Sequence, residues 1–240
     1  MIATALRVLT QLRRDPRTVV LIVGVPCLLE FLLDQVFSGR RDVFQHVGSP
    51  LLGLFPFISM FVVTSVTMLR ERTTGTLERL MSLPLAKADL LLGYAAAFAV
   101  AAILQAAAVS TLAFGALGLH VAGPRPAIAG LAVANAILGM ALGLLASAFA
   151  QTEFQAVQFL PALAFPQLLL CGLFVARGDM APWLRGVSDA LPLSYAYDAL
   201  ARVARDGAYD GWFVADIVVT VGGALLALVV GAATLRRRTD

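Results

Sequence analysis

The sequence predicts an all-α polytopic membrane protein with six transmembrane helices, and three observations predict it. Of its 240 residues 60% are hydrophobic and 14% charged, with a mean hydropathy of +0.86; a water-soluble domain is nearer half apolar and a quarter charged. Apolar runs of about 20 residues recur through the chain, the length a helix needs to cross ~30 Å of hydrocarbon. Alternating ten-residue segments of the kind that build transmembrane barrels are absent. Spans are expected near residues 17–37, 50–69, 89–119, 127–150, 154–176 and 212–235, forming one membrane domain over 1–240.

Residues 1–16 precede the first span. Ile2, Leu6 and Leu9 recur at helical spacing, with Arg7, Gln11 and Arg14 on the opposite face. That pattern suits a helix lying in the membrane interface; a solvated basic tail is the alternative. Asp15-Pro16 then supplies a cap and a first-turn proline. The run that follows lacks a small-residue cleavage site and contains Glu30 and Asp34, so it reads as a retained span rather than a removable signal peptide. A charge at the centre of a span costs roughly 2–3 kcal/mol. Glu30 and Asp34 stand at i, i+4 on one helix face. They form either a substrate- or proton-sensitive site facing a path, or a pair near the outer boundary that reaches water or Arg40 and Arg41.

Six spans place both ends of the chain on one side. With that side cytoplasmic, the inner segments hold eleven basic residues: Arg7, Arg13, Arg14, Arg17, Arg70, Arg72, Arg79, Lys87, Arg236, Arg237 and Arg238. The outer segments hold seven: Arg40, Arg41, Arg125, Arg177, Arg185, Arg202 and Arg205. The excess of positive charge inside favours this orientation, which makes residues 70–87 a cytoplasmic loop.

That loop reads RERTTGTLERLMSLPLAK. Thr73 and Thr74 can cap a short helix; Leu77, Leu80 and Met81 form its apolar side, and Pro84 stops it. Arg70, Glu71, Arg72, Glu78 and Arg79 make it a candidate docking surface for a soluble partner; an interfacial helix that only anchors spans two and three is the other reading. The connection 177–211 is too polar to span, yet Ala196, Ala199, Leu200, Val203 and Ala204 make an apolar side. Trp183, Tyr195, Tyr197, Tyr209 and the adjoining Trp212 load it with boundary aromatics. Short helices at, or dipping into, the outer interface are expected there.

Several chemistries have no support. A phosphate-binding loop needs a Gly-Lys pair, and the only lysine, Lys87, lies between Ala86 and Ala88. Any ATP hydrolysis belongs to another polypeptide. His46 and His120 give no metal-ligand spacing. Cys27 and Cys171 both fall in apolar runs, which argues against a disulfide framework. The net charge of +3 implies no nucleic-acid partner.

Residues 71–94, ERTTGTLERLMSLPLAKADLLLGY, resemble the E-R-x-x-G-T-x-E-x-L signature of the ABC-2 type permeases, with Gly93-Tyr94 where that family ends in Gly-Lys. These are the membrane subunits of ATP-driven exporters such as the daunorubicin-resistance type. Residues 171–200 resemble the family's G-x-F-x-P…P-x-W-L…P-L-x-Y-x-x-D-x-L segment; the expected proline is missing, with Arg177 nearby. The resemblance covers nearly the whole chain. It implies a connecting helix over 1–16, a coupling helix over 70–87 and a re-entrant extracellular hairpin over 177–211. Arg70, Glu71, Arg72, Thr76, Leu77, Glu78, Arg79 and Leu80 would then meet a separate ATPase subunit that carries ATP and Mg, this chain binding no cofactor itself.

The resemblance also implies a second copy, or a similar permease, across a translocation path in the bilayer. Spans two and five would line that path through Phe55, Phe57, Phe61, Thr64, Gln158, Phe159 and Phe165, as a gate or as plain packing. The expected role is export of a drug, lipid or other amphipath from the cytoplasm across a bacterial inner membrane. An ion- or proton-coupled carrier using Glu30 and Asp34 is the alternative, although no inverted repeat accompanies it.

Overall fold

Helices form where the apolar runs predict them, and their ends lie where polar residues or glycines take over. The structure is a computed structural model that describes residues 2–74, 87–207 and 209–234. Among the described residues there is no strand, and five helices are long and apolar enough to cross a membrane. The end of the bundle where the second span stops and the third begins is called basal here, and the opposite end apical.

Helix α1 (Ile2–Arg14) lies at the basal end and buries Thr4, Val8 and Leu12, while Ile2 and Leu6 stay 72% and 60% exposed. The helix therefore has two apolar sides, one against protein and one open. The Asp15 carboxylate caps α2 (Pro16–Val36) by accepting from the amides of Arg17 and Thr18. The Thr18 hydroxyl, donating at 2.6 Å, and the Thr18 amide hold that carboxyl below its ordinary range. Within α2 a π-helical turn at Val20–Gly24 stands just before Pro26, whose missing N–H breaks the regular ladder.

Helix α3 (Arg41–Thr73) runs unbroken through Pro50 and Pro56, roughly 50 Å at 1.5 Å per residue. It is the centre of the bundle. Its most apolar stretch is 67% buried inside the chain, against 22% for α2 and for the last span. Helix α5 (Arg125–Ser147) lies closest to it, because Gly139 and Gly143 let the backbones meet. A Cβ at Gly139 would sit 2.2 Å from the Phe57 carbonyl oxygen, and one at Gly143 2.4 Å from that of Phe61. Small residues give membrane helices this approach, where the bilayer itself offers no hydrophobic drive. Between the two, α4 (Lys87–Thr111) ends in a second π turn at Leu112–Ala116.

The fifth expected span differs from the expectation. Residues 153–170, here α6, comprise Glu153–Phe159, a π turn at Leu160–Ala164 and Phe165–Leu170. Glu153, Gln155, Gln158 and Gln167 dilute its hydropathy, Pro161 and Pro166 interrupt its ladder, and Gly172 at φ +106 ends it six residues early. It is not among the five membrane-length helices. Two short helices follow, α7 (Pro182–Asp189) and α8 (Pro192–Asp206), the latter closed by Gly207 in the left-handed conformation. Helix α8 buries Leu193, Ala196, Ala199, Leu200 and Val203 against α3, α5 and α9 (Gly211–Thr234). Val218, Leu225 and Val229 on α9 and Leu28, Leu32 and Val36 on α2 are exposed and purely aliphatic, as lipid requires.

Candidate functional site

The last turn of α3 carries three charged residues in a row. Successive side chains on a helix point about 100° apart, so Arg70, Glu71 and Arg72 reach three different neighbours. Arg70 grips Glu153, the first residue of α6, through two hydrogen bonds of 2.7 and 2.9 Å. Arg72 donates to the carbonyl of Ser147, the last residue of α5. Glu71 turns inward, 8% exposed, and accepts from the Tyr94 hydroxyl at 2.9 Å and from Arg7 of α1 at 3.3 Å. Arg7 also donates to the Tyr94 oxygen and lies 5.6 Å over its ring. Tyr94 itself, on α4, is fully buried.

One helical turn is thus tied to α1, α4, α5 and α6 at once. Arg70 engages a neighbouring helix and Glu71 lies inside the protein; of the residues expected to dock a partner, neither is left free. Thr73 and Thr74, expected to open the loop helix, donate back to the Arg70 carbonyl. Thr76, Leu77, Glu78, Arg79 and Leu80 lie outside the described residues. Arg7, Tyr94 and Glu153 were missed from sequence. Arg7 stood on the polar face of α1 and Glu153 was the lone acid before span five, but nothing in the chain order pairs them with α3.

The expected path residues separate into two groups. Phe57, Phe61 and Thr64 are fully buried on the face of α3 that meets α5, and the Thr64 hydroxyl is 2.6 Å from the Met60 carbonyl and 3.3 Å from that of Met140. Phe55 is half-buried. Gln158 and Phe159 line a cavity of about 320 Å³ beside the basal start of α6, together with Phe149, Gln151, Gln155 and Ala162. Phe165 is exposed on the same helix. The structure does not bring the two groups together within one chain.

The two acids of α2 also part company. Asp34 is paired with Arg41 at the start of α3 and accepts from Gln35 at 2.9 Å. Arg41 further donates to the Leu117 carbonyl at 3.4 Å, closing the apical end over α4. Glu30 is fully buried, and neither carboxyl oxygen has a hydrogen-bond partner among the described residues. Gly48 makes room for it: a Cβ there would lie 3.5 Å from Oε1.

At the apical end Arg177 sits between Asp189 of α7 and Asp198 of α8 and stacks 5.0 Å over Tyr195. Burial pushes the Asp198 carboxyl above its ordinary range, and Arg177 beside it pulls it back. The loop after α6, the apical end of α3 and one side of α8 line a cavity of about 700 Å³.

Comparison with known proteins adds a second line of evidence. The family model for the ABC-2 type transporter matches residues 1–203. The probable multidrug ABC transporter permease YbhR of Escherichia coli K12 is 27% identical over 205 residues, covering 83% of this chain and 56% of that protein. ABC transporter G family member 20 of Dictyostelium discoideum is 24% identical over 188 residues, 77% of this chain and 26% of its own length. The chain therefore spans about half the length of the first relative and a quarter of the second.

Proposed function

The chain belongs to the ABC-2 type transporter family, and on that premise we propose that it is the membrane part of an exporter that moves an amphipathic drug or lipid with energy from a separate ATPase chain. The observation that carries this reading is the clamp at the basal end of α3. Residues 75–86, which lie outside the described residues, join Thr74 to Lys87 in the sequence. A push delivered there by a nucleotide-driven partner meets Arg70, Glu71 and Arg72 first. Their contacts hand it to α1, α4, α5 and α6 together, so the bundle responds as a unit.

In this reading residues 70–87 form the coupling element, with Thr76, Leu77, Glu78, Arg79 and Leu80 as the docking surface. Helix α6 completes a six-span arrangement with both termini cytoplasmic and α7–α8 as an outer re-entrant hairpin. The α6 face sets the exposed amides of Gln155 and Gln158 among Phe154, Val157 and Phe165, and in this reading it meets a second copy or a similar permease around the path. The test is copurification from the native membrane followed by an ATPase assay. Reversing Glu78 and Arg79 together is expected to release the ATPase or to abolish cargo-stimulated hydrolysis. Unchanged coupled activity would sink the docking role.

A second reading rests on Glu30, a buried carboxyl with no partner. If the chain were instead an ion- or proton-coupled carrier, Glu30→Gln would abolish gradient-driven transport in the absence of any ATPase, whereas an exporter keeps ATP-driven transport.

A further inference from the structure

Helices α1 and α2 meet at a break in the backbone, and the exporter mechanism leaves the charges gathered there unused. Asp15, at φ −106 and ψ 88, separates Arg13 and Arg14 in the last turn of α1 from Arg17 in the first turn of α2. The helix dipole favours a cation at the first two positions and opposes one at the third, so the backbone of α2 gives no reason for Arg17. All three residues are exposed, and none is in an ion pair among the described residues. Periodicity alone puts Arg7 on the open polar side of α1, but the structure turns it inward onto Glu71 and Tyr94. Arg13, Arg14 and Arg17 then face one carboxylate, Asp15, the only acid before Glu30. Its oxygens accept from the Arg17 and Thr18 amides and the Thr18 hydroxyl, not from a guanidinium. Arg70, whose charge also reaches Asp15, is matched by Glu153. The corner keeps a surplus of two positive charges.

What surrounds these charges is apolar. Ile2, Leu6, Leu9 and Arg13 stand at spacings of four, three and four on one face of α1, and Ile2 and Leu6 are the exposed pair noted above. Beyond the break Val20 and Leu21 are 64% and 53% exposed on α2, and Val25, Leu28 and Leu32 continue that open surface along the span. The guanidiniums therefore stand between two open aliphatic surfaces. A water-soluble anion satisfies the charges and leaves both surfaces bare. A phospholipid covers both at once, because its acyl chains lie against the aliphatic side chains when its head group is at the corner. Guanidinium also matches phosphate oxygens in a two-point hydrogen bond.

We propose that the corner between α1 and α2 binds an anionic phospholipid, its phosphate against Arg13, Arg14 and Arg17 and its acyl chains along Val20 and Leu21. Because α1 also carries Arg7, a lipid held here steadies that helix against the basal clamp. The site stands whether or not an ATPase drives the chain.

The test titrates the full chain, in micelles of neutral detergent, with phosphatidylglycerol or phosphatidylcholine of identical acyl chains, and counts bound lipid by native mass spectrometry. The first phosphatidylglycerol should bind about 25-fold more tightly than the first phosphatidylcholine, roughly fivefold for each surplus charge. Arg13→Gln, Arg14→Gln and Arg17→Gln should each cut that preference about fivefold, and the triple glutamine variant should lose it. The triple lysine variant, which keeps the charges, should retain most of it, and a circular dichroism melt matching wild type shows that the fold is kept. Arg40→Gln, at an exposed apical position, should leave the preference unchanged. Excess inorganic phosphate, compared with chloride at equal ionic strength, should not displace the lipid. Equal affinity of wild type for the two lipids, an undiminished preference in the triple glutamine variant, an equal loss on Arg40→Gln, or displacement by phosphate overturns the proposal.

Discussion

Replacing Glu71 by alanine probes the basal clamp directly. Glu71 accepts from Tyr94 at 2.9 Å and from Arg7 at 3.3 Å, with the side chains of Glu71 and Arg7 10% and 30% exposed. A hydrogen bond to a charged group contributes about 1.5–3 kcal/mol, and more is lost when a buried partner is stranded. The Tyr94 bond is fully buried and keeps its full value; the Arg7 share is discounted because the guanidinium retains some water. The expected loss for Glu71→Ala is about 3 kcal/mol. Arg7→Met should cost about 2 kcal/mol by the same reasoning, and the double variant about 3.5 rather than 5, because the shared interaction can be lost only once. Tyr94→Phe, which removes one hydroxyl, should cost about 1 kcal/mol. The assay is reversible unfolding in mixed detergent micelles, followed by circular dichroism. If the Glu71 and Arg7 losses add to within about 0.5 kcal/mol, the three residues do not act as a unit and the clamp argument fails.

Two further predictions follow from named contacts. Gly139→Ala or Gly143→Ala drives a methyl into the α3 backbone, at 2.2 Å from the Phe57 carbonyl oxygen or 2.4 Å from that of Phe61; each should destabilise by about 1–3 kcal/mol or more, whereas Gly130→Ala, with open space at its Cβ position, should leave the same unfolding curve unmoved. Arg177→Gln removes the cation that draws the Asp198 carboxyl down and leaves burial, with Asp189 beside it, pushing up against Arg202 alone. A carboxyl raised in the folded state favours folding at acid pH and loses that contribution as pH rises. The variant should therefore approach wild-type stability in acid and fall progressively behind above the ordinary aspartate value of 3.8, and a pH-independent difference would refute the assignment.

Span positions were the most legible feature because they are set by the solvent. Summed over about 20 residues, the cost of placing polar groups in hydrocarbon outweighs local detail. The first and last spans, expected near 17–37 and 212–235, lie at Pro16–Val36 and Gly211–Thr234. Helix α3 overran its expectation at both ends, 41–73 against 50–69. The polar turns at Arg41–His46 and Arg70–Thr73 are helical without being apolar, and hydropathy reads only the apolar part. Helix α1 shows the opposite difficulty. Its exposed Ile2 and Leu6 and its buried Val8 and Leu12 are apolar alike, so periodicity cannot say which side faces protein.

By itself, the sequence determined that this chain is a membrane bundle, where five of its spans lie, and that its 240 residues hold no phosphate-binding loop motif. Each of these is a property of composition or of a contiguous motif. The tertiary structure alone decided which side chains turn inward. Glu71 lies against Arg7 and Tyr94, 64 and 23 residues away. Phe57, Phe61 and Thr64 are sealed against α5 because Gly139 and Gly143 allow contact there, and Asp34 closes on Arg41. The physical reason is that a span's membership depends on its own residues and the bilayer, whereas a side chain's partner depends on which distant helix packs beside it, and no local signal encodes that.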